Sequence, residues 1–399
     1  MDARARPHDA LDVQLWAFLI RREAVECGDA DFVGRTLTEK GFDTLLRVRA
    51  DPDVGRRLAE WLPESGLRVT AREIDSVVFV HDVFPAAPTE SQRREAPQCD
   101  NARALLTRTA LRAGLRRLRG RDYVPAVGVA SSAQAWSLLA KLAPTQIGTL
   151  RDRMRERSAA FATGSGIRDL SRYGCRGRVE LIDYKGGKAV RKTFRPGRER
   201  FLQHELDVFA DLGPICPEIP KLLESGDNYF IVEYIDEADQ LPLPTAPALL
   251  PLRHARQLAG FVCKAIASGW DPVDLKPRSN ALYTRNGIRI IDYEFWRRCD
   301  PSIRYQDSYC LAGIPVDYEG DRPWGRLFGM EPYPAKWKRI TGLDVESFLY
   351  DPAWLQFIKR IPWSVRAHAL RMALAIGKPF VRIVPMPAAA RRLALKARS

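Results

Sequence analysis

Apolar and polar positions follow two rhythms along this chain. A spacing near 3.6 residues predicts amphipathic helices in "DVQLWAFLIRREAV", "DVGRRLAEWL", "ARALLTRTALRAGLRRLRGRD", "RERFLQHELDVFADLG" and "LLPLRHARQLAGFVCKAIASG". Short apolar runs bounded by turn residues predict buried strands in "IDSVVFVHDVF", "YVPAVGVASS" and "YFIVEYI". From Gly174 onward, "GCRGRVELIDYKGGKAVRKTF" is two strand-like runs around "YKGGK", a sequence suited to a tight hairpin turn.

These rhythms divide the chain. Residues 1–150 form an expected α/β domain, interrupted by the Pro- and charge-rich loop "PAAPTESQRREAPQ". "TQIGTLRDRMRERSAAFATGSGIRDL" passes from a charged helix into small residues, which places a linker at about 151–170. A second domain at 171–330 and a basic helical extension at 331–399 follow. In the Arg-rich helix, Leu105, Leu106, Leu111, Leu115 and Leu118 share the apolar face, leaving the arginines to water or to phosphate.

Composition narrows the class. At 399 residues, 46% hydrophobic and 28% charged, the chain can bury a core in each of two domains. Seven scattered cysteines with no CxxC and no zinc spacing read as reduced structural thiols. No apolar run is long enough to span a bilayer and the start lacks a secretory pattern, so a cytoplasmic location is expected. The net charge of +14 suits a nucleic acid, an anionic membrane surface or a phosphorylated substrate, but an Arg-rich composition alone produces the same balance, and nucleic acid is not the expected partner.

Candidate chemistry is concentrated in the second domain. Gly174 and Gly177, shortly before Val179, fit a turn whose backbone approaches phosphate closely. Lys192 falls in the second hairpin strand and Glu205 in the next helix, where the two could pair while the lysine holds phosphates. Arg191 competes with Lys192 as the strand cation, because a slip of one residue exchanges the two faces. Then comes "DPVDLKPRSNALYTRNGIRIIDYE": Asp274 in a polar turn, Lys276 two residues on, Asn280 six on, and Asp292 after an apolar strand. Asn280 and Asp292 offer the oxygen ligands that Mg²⁺ prefers.

"VDLKPRSNALYTRNGIRIIDYE" resembles the catalytic loop and metal-binding segment of the protein-kinase-like superfamily. "GCRGRV", "AVRKTF" and "HELDVF" resemble its glycine-rich loop, lysine strand and following helix, so the likeness covers roughly 171–315. It implies an α+β, two-lobed kinase-like domain that uses ATP and Mg²⁺. Asp274 would be the catalytic base and Lys276 a γ-phosphate contact. Asn280 and Asp292 would hold the metal. Gly174, Gly177, Val179, Lys192 and Glu205 would line the phosphates, and Glu233 to Ile235 would hold adenine. Val273 precedes Asp274 in place of the usual His-Arg lead, and the interval to Asn280 is one residue longer than the family's.

Glu294 stands where protein kinases carry the glycine of Asp-Phe-Gly, which brings "IDYEF" closer to choline and aminoglycoside phosphotransferases and to lipopolysaccharide sugar kinases. Asp307, in "DSYCLAG", resembles the buried aspartate of the next large helix and leaves little room for a protein-substrate segment. A hydroxyl of a small molecule, sugar or glycolipid is therefore the expected acceptor. The alternatives are a protein serine/threonine kinase and a catalytically inactive pseudokinase scaffold.

Two flanks complete the reading. "GLRVTAREIDSVVFVHD" and "VGVASSAQAWSLLAKL" weakly resemble the first half of a thiolase-fold ketoacyl synthase, with Ser131 and Ser132 at the turn where that fold presents its cysteine. The second half of that fold is missing, so no acyl transfer is expected, and a regulatory or substrate-binding unit is the alternative. Asp317, Glu319 and Asp321 are candidate polar contacts to the acceptor. Residues 364–399 mix apolar and basic residues without an acid, the composition of a segment that lies on an anionic membrane.

Overall fold

Leu15–Arg21 is a strand (β1), although its surroundings predict a helix, and six of its seven residues are buried. Covered on both faces, such a strand loses the alternation that would mark it, and its apolar run can be read either way. The α-helix that follows, Arg22–Glu26, takes in only the tail of the stretch.

The computed structural model describes residues 10–120, 122–161, 166–171, 176–243, 248–315, 317–321 and 337–383. The chain is mixed α+β and divides into two compact units, Met1–Arg200 with Ser225–Ile231, and Phe201–Glu224 with Val232–Ser399.

In the first unit β1 joins β2 (Asp43–Arg49), β3 (Ile74–His81) and β4 (Ala126–Gly128) in the order β2-β3-β1-β4. All three pairings are antiparallel, so this sheet is not the parallel one that strand–helix alternation in an α/β domain suggests. Sequence alternation reports the order of elements but not the direction in which a strand returns. The core of Trp16, Phe18, Phe42, Phe79 and Leu58 lies on this sheet. Helix Pro52–Ser65 starts where Asp51 accepts from the Val54 amide and ends at Gly66, whose φ of 68° suits glycine.

β5 (Gly166–Asp169), β6 (Gly177–Tyr184), β7 (Gly187–Phe194), β8 (Leu222–Ser225) and β9 (Tyr229–Glu233) form a second sheet of order β5-β6-β7-β9-β8. The β6–β7 hairpin turns at Lys185 and Gly186, both at positive φ, as "YKGGK" predicts.

Immediately after β7, the Arg195 guanidinium donates to the Gly41 carbonyl at 2.6 Å and to Asp82 Oδ1 at 3.0 Å. Arg103 Nε and Asn101 Nδ2 reach Asp82 Oδ2 at 2.8 and 2.9 Å. Asp82 is fully buried. Burial pushes its carboxyl up, but Arg103, Arg195 and Asn101 together outweigh that and hold it below the usual carboxylate range. The hairpin that carries Lys192 is thereby tied to the N-terminal sheet inside one unit.

Beside it, buried His81 pairs its Nε2 with Gln14 Oε1 at 2.9 Å. Burial, countered partly by Asp82, pulls its pKa down to about 4. The unfolded chain therefore takes up this proton before the folded one does. His81 contributes its full share of stability above its unfolded value near 6.5 and loses it as pH falls toward 4, a change on the order of 3 kcal/mol. Denaturant unfolding at several pH values should show this slope in the wild type and a shallower one in His81→Gln; equal slopes would refute it.

The second unit holds helix Glu199–Leu212, from Phe201 onward, and helix Leu252–Ala267. β10 (Trp270–Asp271) pairs with β13 (Arg297–Arg298), and β11 (Ala281–Thr284) with β12 (Gly287–Ile290). Between and after these strands lie the two aspartate turns singled out in the sequence. Helices Val345–Tyr350 and Ala353–Ile383 follow.

Candidate functional site

Three non-glycine residues among those described have positive φ, and two of them are Asp274 at 65° and Asp292 at 72°. The third, Lys185, belongs to the β6–β7 turn. A left-handed side-chain-bearing residue costs about 1–3 kcal/mol and persists only where its surroundings hold it. Asp274 is held by Val273 and Leu275, both buried, which anchor the turn on either side. The Val273 amide donates back to Asp271 at 2.8 Å and the Leu275 amide to Pro272 at 3.1 Å.

Lys276 Nζ lies 2.6 Å from Asp274 Oδ2. The turn then closes through the Asn280 amide, which donates to the Lys276 carbonyl at 3.0 Å. The Asn280 side chain completes the link: its Nδ2 sits 3.4 Å from the Asp274 carbonyl and 3.4 Å from Asp292 Oδ2. The Ile291 amide donates to the Asn280 carbonyl at 2.9 Å. Asp274, Lys276, Asn280 and Asp292 are thus one connected group, despite the extra residue before Asn280.

Asp292 has two further acidic neighbours. Carboxylate oxygens of Glu205, Asp292 and Glu294 all lie within 4.8 Å of one another. Glu205 is buried in its helix, while the other two reach solvent. Tyr293, between Asp292 and Glu294, packs edge-on against Phe209 at 5.1 Å and Trp296 at 5.0 Å, which fixes where its neighbours point. Its phenol is pushed well up, first by burial and then by the negative charge of Glu205, Asp292 and Glu233. Carboxylates with an amide at hand are hard oxygen donors, a set suited to Mg²⁺. The Asn280 amide would turn its oxygen, now accepting from Ser279 Oγ at 2.9 Å, toward such an ion.

Sequence reasoning assigned Glu205 to Lys192 and used Glu294 only as a pointer to substrate class; their meeting at Asp292 was missed. The i, i+2 carboxylates of "DYE" were the available signal for Glu294, but nothing local could bring in Glu205 from a helix 87 positions earlier.

Asp271 was missed as well. It is fully buried, and its carboxylate accepts from the Tyr309 amide at 2.6 Å, the Cys310 amide at 3.0 Å and Arg297 Nε at 3.3 Å. Arg297 in turn stacks over the Tyr309 ring at 3.4 Å. Burial still raises the Asp271 carboxyl above its ordinary value. This corrects the role expected for Asp307, which is exposed and pairs with Arg304 at 2.7 Å. The buried aspartate that braces the segment is Asp271, three residues before Asp274.

The remaining candidates fall as follows. Gly174 lies outside the described residues. Gly177 is required sterically, since a Cβ there would come within 2.7 Å of the Thr193 carbonyl. Val179 pairs directly with Lys192 across the hairpin, so the two share a face, while Arg191 pairs with Glu180 on the other face. Arg191 stacks over Tyr229 at 3.9 Å and Lys192 lies 5.2 Å from the Phe194 ring. The register thus groups Lys192, not Arg191, with Gly177 and Val179. Lys192 belongs to the first unit and Glu205 to the second.

Glu233 Oε1 accepts from the Lys221 amide at 3.1 Å, and the Ile235 carbonyl from Gln240 Nε2 at 3.0 Å. Asp317, Glu319 and Asp321 are exposed. In the N-terminal unit Ser131 caps helix Ser132–Leu142, and the Ser132 hydroxyl donates to Asp100; both serines have structural uses. No protein-family model matches this chain, and no curated protein matches it either.

Proposed function

We propose that the protein is an ATP- and Mg²⁺-dependent phosphotransferase acting on a hydroxyl of a small molecule, sugar or glycolipid. The observation that carries this reading is the connected group of Asp274, Lys276, Asn280 and Asp292, with both aspartates at positive φ. Side chains held at positive φ cluster at working sites, and here two carboxylates of one connected group share that conformation.

In this reading the acceptor hydroxyl donates its hydrogen to Asp274, which orients the oxygen toward the γ-phosphorus. The new P–O bond forms as the bond to the β,γ-bridging oxygen breaks, the proton passes to Asp274, and ADP leaves. Lys276, ion-paired to Asp274, would contact the transferred group. Asp292, Glu294, Glu205 and Asn280 would hold the Mg²⁺, which when bound neutralises the charge of the phosphates. Glu294, standing where protein kinases carry a glycine, favours a small acceptor over a protein chain.

The test is ADP release, with phosphorus NMR of the products, from Mg·ATP and a panel of sugars, amino alcohols and glycolipids. Turnover should require Mg²⁺ and fall about 10²–10⁴-fold in Asp274→Ala. Mg·ATP binding without turnover, unchanged in that variant, would overturn the enzyme reading and leave a nucleotide-binding scaffold.

A further inference from the structure

We infer that helix Ala353–Ile383 is a docking surface for an anionic lipid bilayer, along a face that begins at Trp354. The helix has two opposite faces. On one, Gln356 Nε2 donates to the Ser347 carbonyl at 2.7 Å and the Phe348 carbonyl at 3.3 Å, the Arg360 guanidinium donates to the Leu250 carbonyl, and Ala367 is buried. This face holds the helix to its own unit.

The other face carries Trp354, Phe357, Ile358, Ile361, Val365 and Met372, each between 49% and 64% exposed. At 3.6 residues per turn these six fall within an arc of about 100°. A helix of a folded domain ordinarily turns such a stripe inward, and an exposed one of this extent marks an interaction surface.

Charge selects the occupant. Residues 353–383 contain Lys359, Arg360, Arg366, Arg371, Lys378 and Arg382 and no Asp or Glu, and no acid follows before the end of the chain at Ser399. Arg366 is exposed and lies to the side of the stripe, while Lys359, also exposed, pairs with Asp351 at 2.8 Å. A second copy of the helix laid against this face would bring like charges together. A bilayer with acidic headgroups instead takes the apolar side chains into its boundary and pairs the flanking cations with phosphate or carboxylate. Trp354 at one end of the stripe is the residue type favoured at that depth. Among the described residues no helix is long and apolar enough to cross a membrane, so the helix would lie in the interface plane. The apolar stripe starts ten residues earlier than the basic composition of residues 364–399 suggests.

Vesicle co-sedimentation of the full-length protein tests this independently of phosphotransfer. Binding to phosphatidylcholine vesicles containing about 30 mol% phosphatidylserine should exceed binding to pure phosphatidylcholine at least tenfold and should weaken severalfold at high salt. The triple variant Trp354→Ser, Phe357→Ser, Ile361→Ser should lose that binding about tenfold or more with an unchanged melting temperature, because these side chains are exposed. Equal binding to both vesicle types, or undiminished binding by the folded variant, would overturn the inference. A stripe-dependent dimer in sedimentation velocity without vesicle binding would also overturn it, and would assign the face to a second copy.

Discussion

Replacing Asp292 with Asn should reduce Mg²⁺-dependent turnover by at least about 10³-fold, several kcal/mol of transition-state stabilisation, while leaving the fold intact. The substitution isolates the charge. Asparagine tolerates the left-handed backbone at φ 72° as well as aspartate does, so no strain is added. It keeps an amide oxygen to accept from Asn280 Nδ2, now 3.4 Å from Asp292 Oδ2. What it removes is one of three carboxylates within 4.8 Å of one another. Relief of that crowding should leave the melting temperature equal or slightly raised. Titration of nucleotide binding against Mg²⁺, alongside circular dichroism, separates the two effects. Unaltered activity in a folded variant would place the metal site elsewhere, and a lowered melting temperature would make the cluster structural.

The second large effect lies in the first unit. Asp82→Ala should destabilise it by about 3–5 kcal/mol, because two guanidinium groups lose their shared buried carboxylate. Arg103 and Arg195 are themselves only 3% and 2% exposed, so water cannot replace Asp82 without the structure opening. The Arg195 contact to Gly41 depends on the same placement, so loosening should extend into the hairpin that carries Lys192. Hydrogen exchange should show faster opening of β3 and of the β6–β7 hairpin together, and differential scanning calorimetry a lower transition. A variant as stable as the wild type would mean that the sheet and the hairpin are held together by other contacts. Because the Asp82 carboxyl is held below its ordinary value, its contribution is complete above the usual carboxylate range and is lost only as pH falls through its lowered pKa.

What could be read from the sequence was set by neighbours along the chain. The start of helix Pro52–Ser65 needs only Asp51 and Pro52 beside it, and its end only Gly66. The β6–β7 hairpin needs only its turn residues, and the group of Asp274, Lys276 and Asn280 forms within one turn whose amides bond across four residues or fewer. Spacing and turn chemistry determine such features, because their partners arrive with the same local backbone.

The remaining features required the folded chain. β1 is a strand because β3 and β4 pair with its two edges and helix Ser132–Leu142 packs against it; the same apolar run beside a different partner could be a helix. Lys192 rather than Arg191 joins Gly177 and Val179 because pairing with β6 fixes the register. Asp271 outranks Asp307 as the buried brace because the Tyr309 and Cys310 amides fold back onto it. Glu205 meets Asp292 and Glu294, and Arg195 meets Asp82, across separations of 87 and 113 residues. Over such lengths nothing in the local pattern specifies a partner, and the cost of desolvating a charge is met only by whichever group the tertiary packing brings within reach.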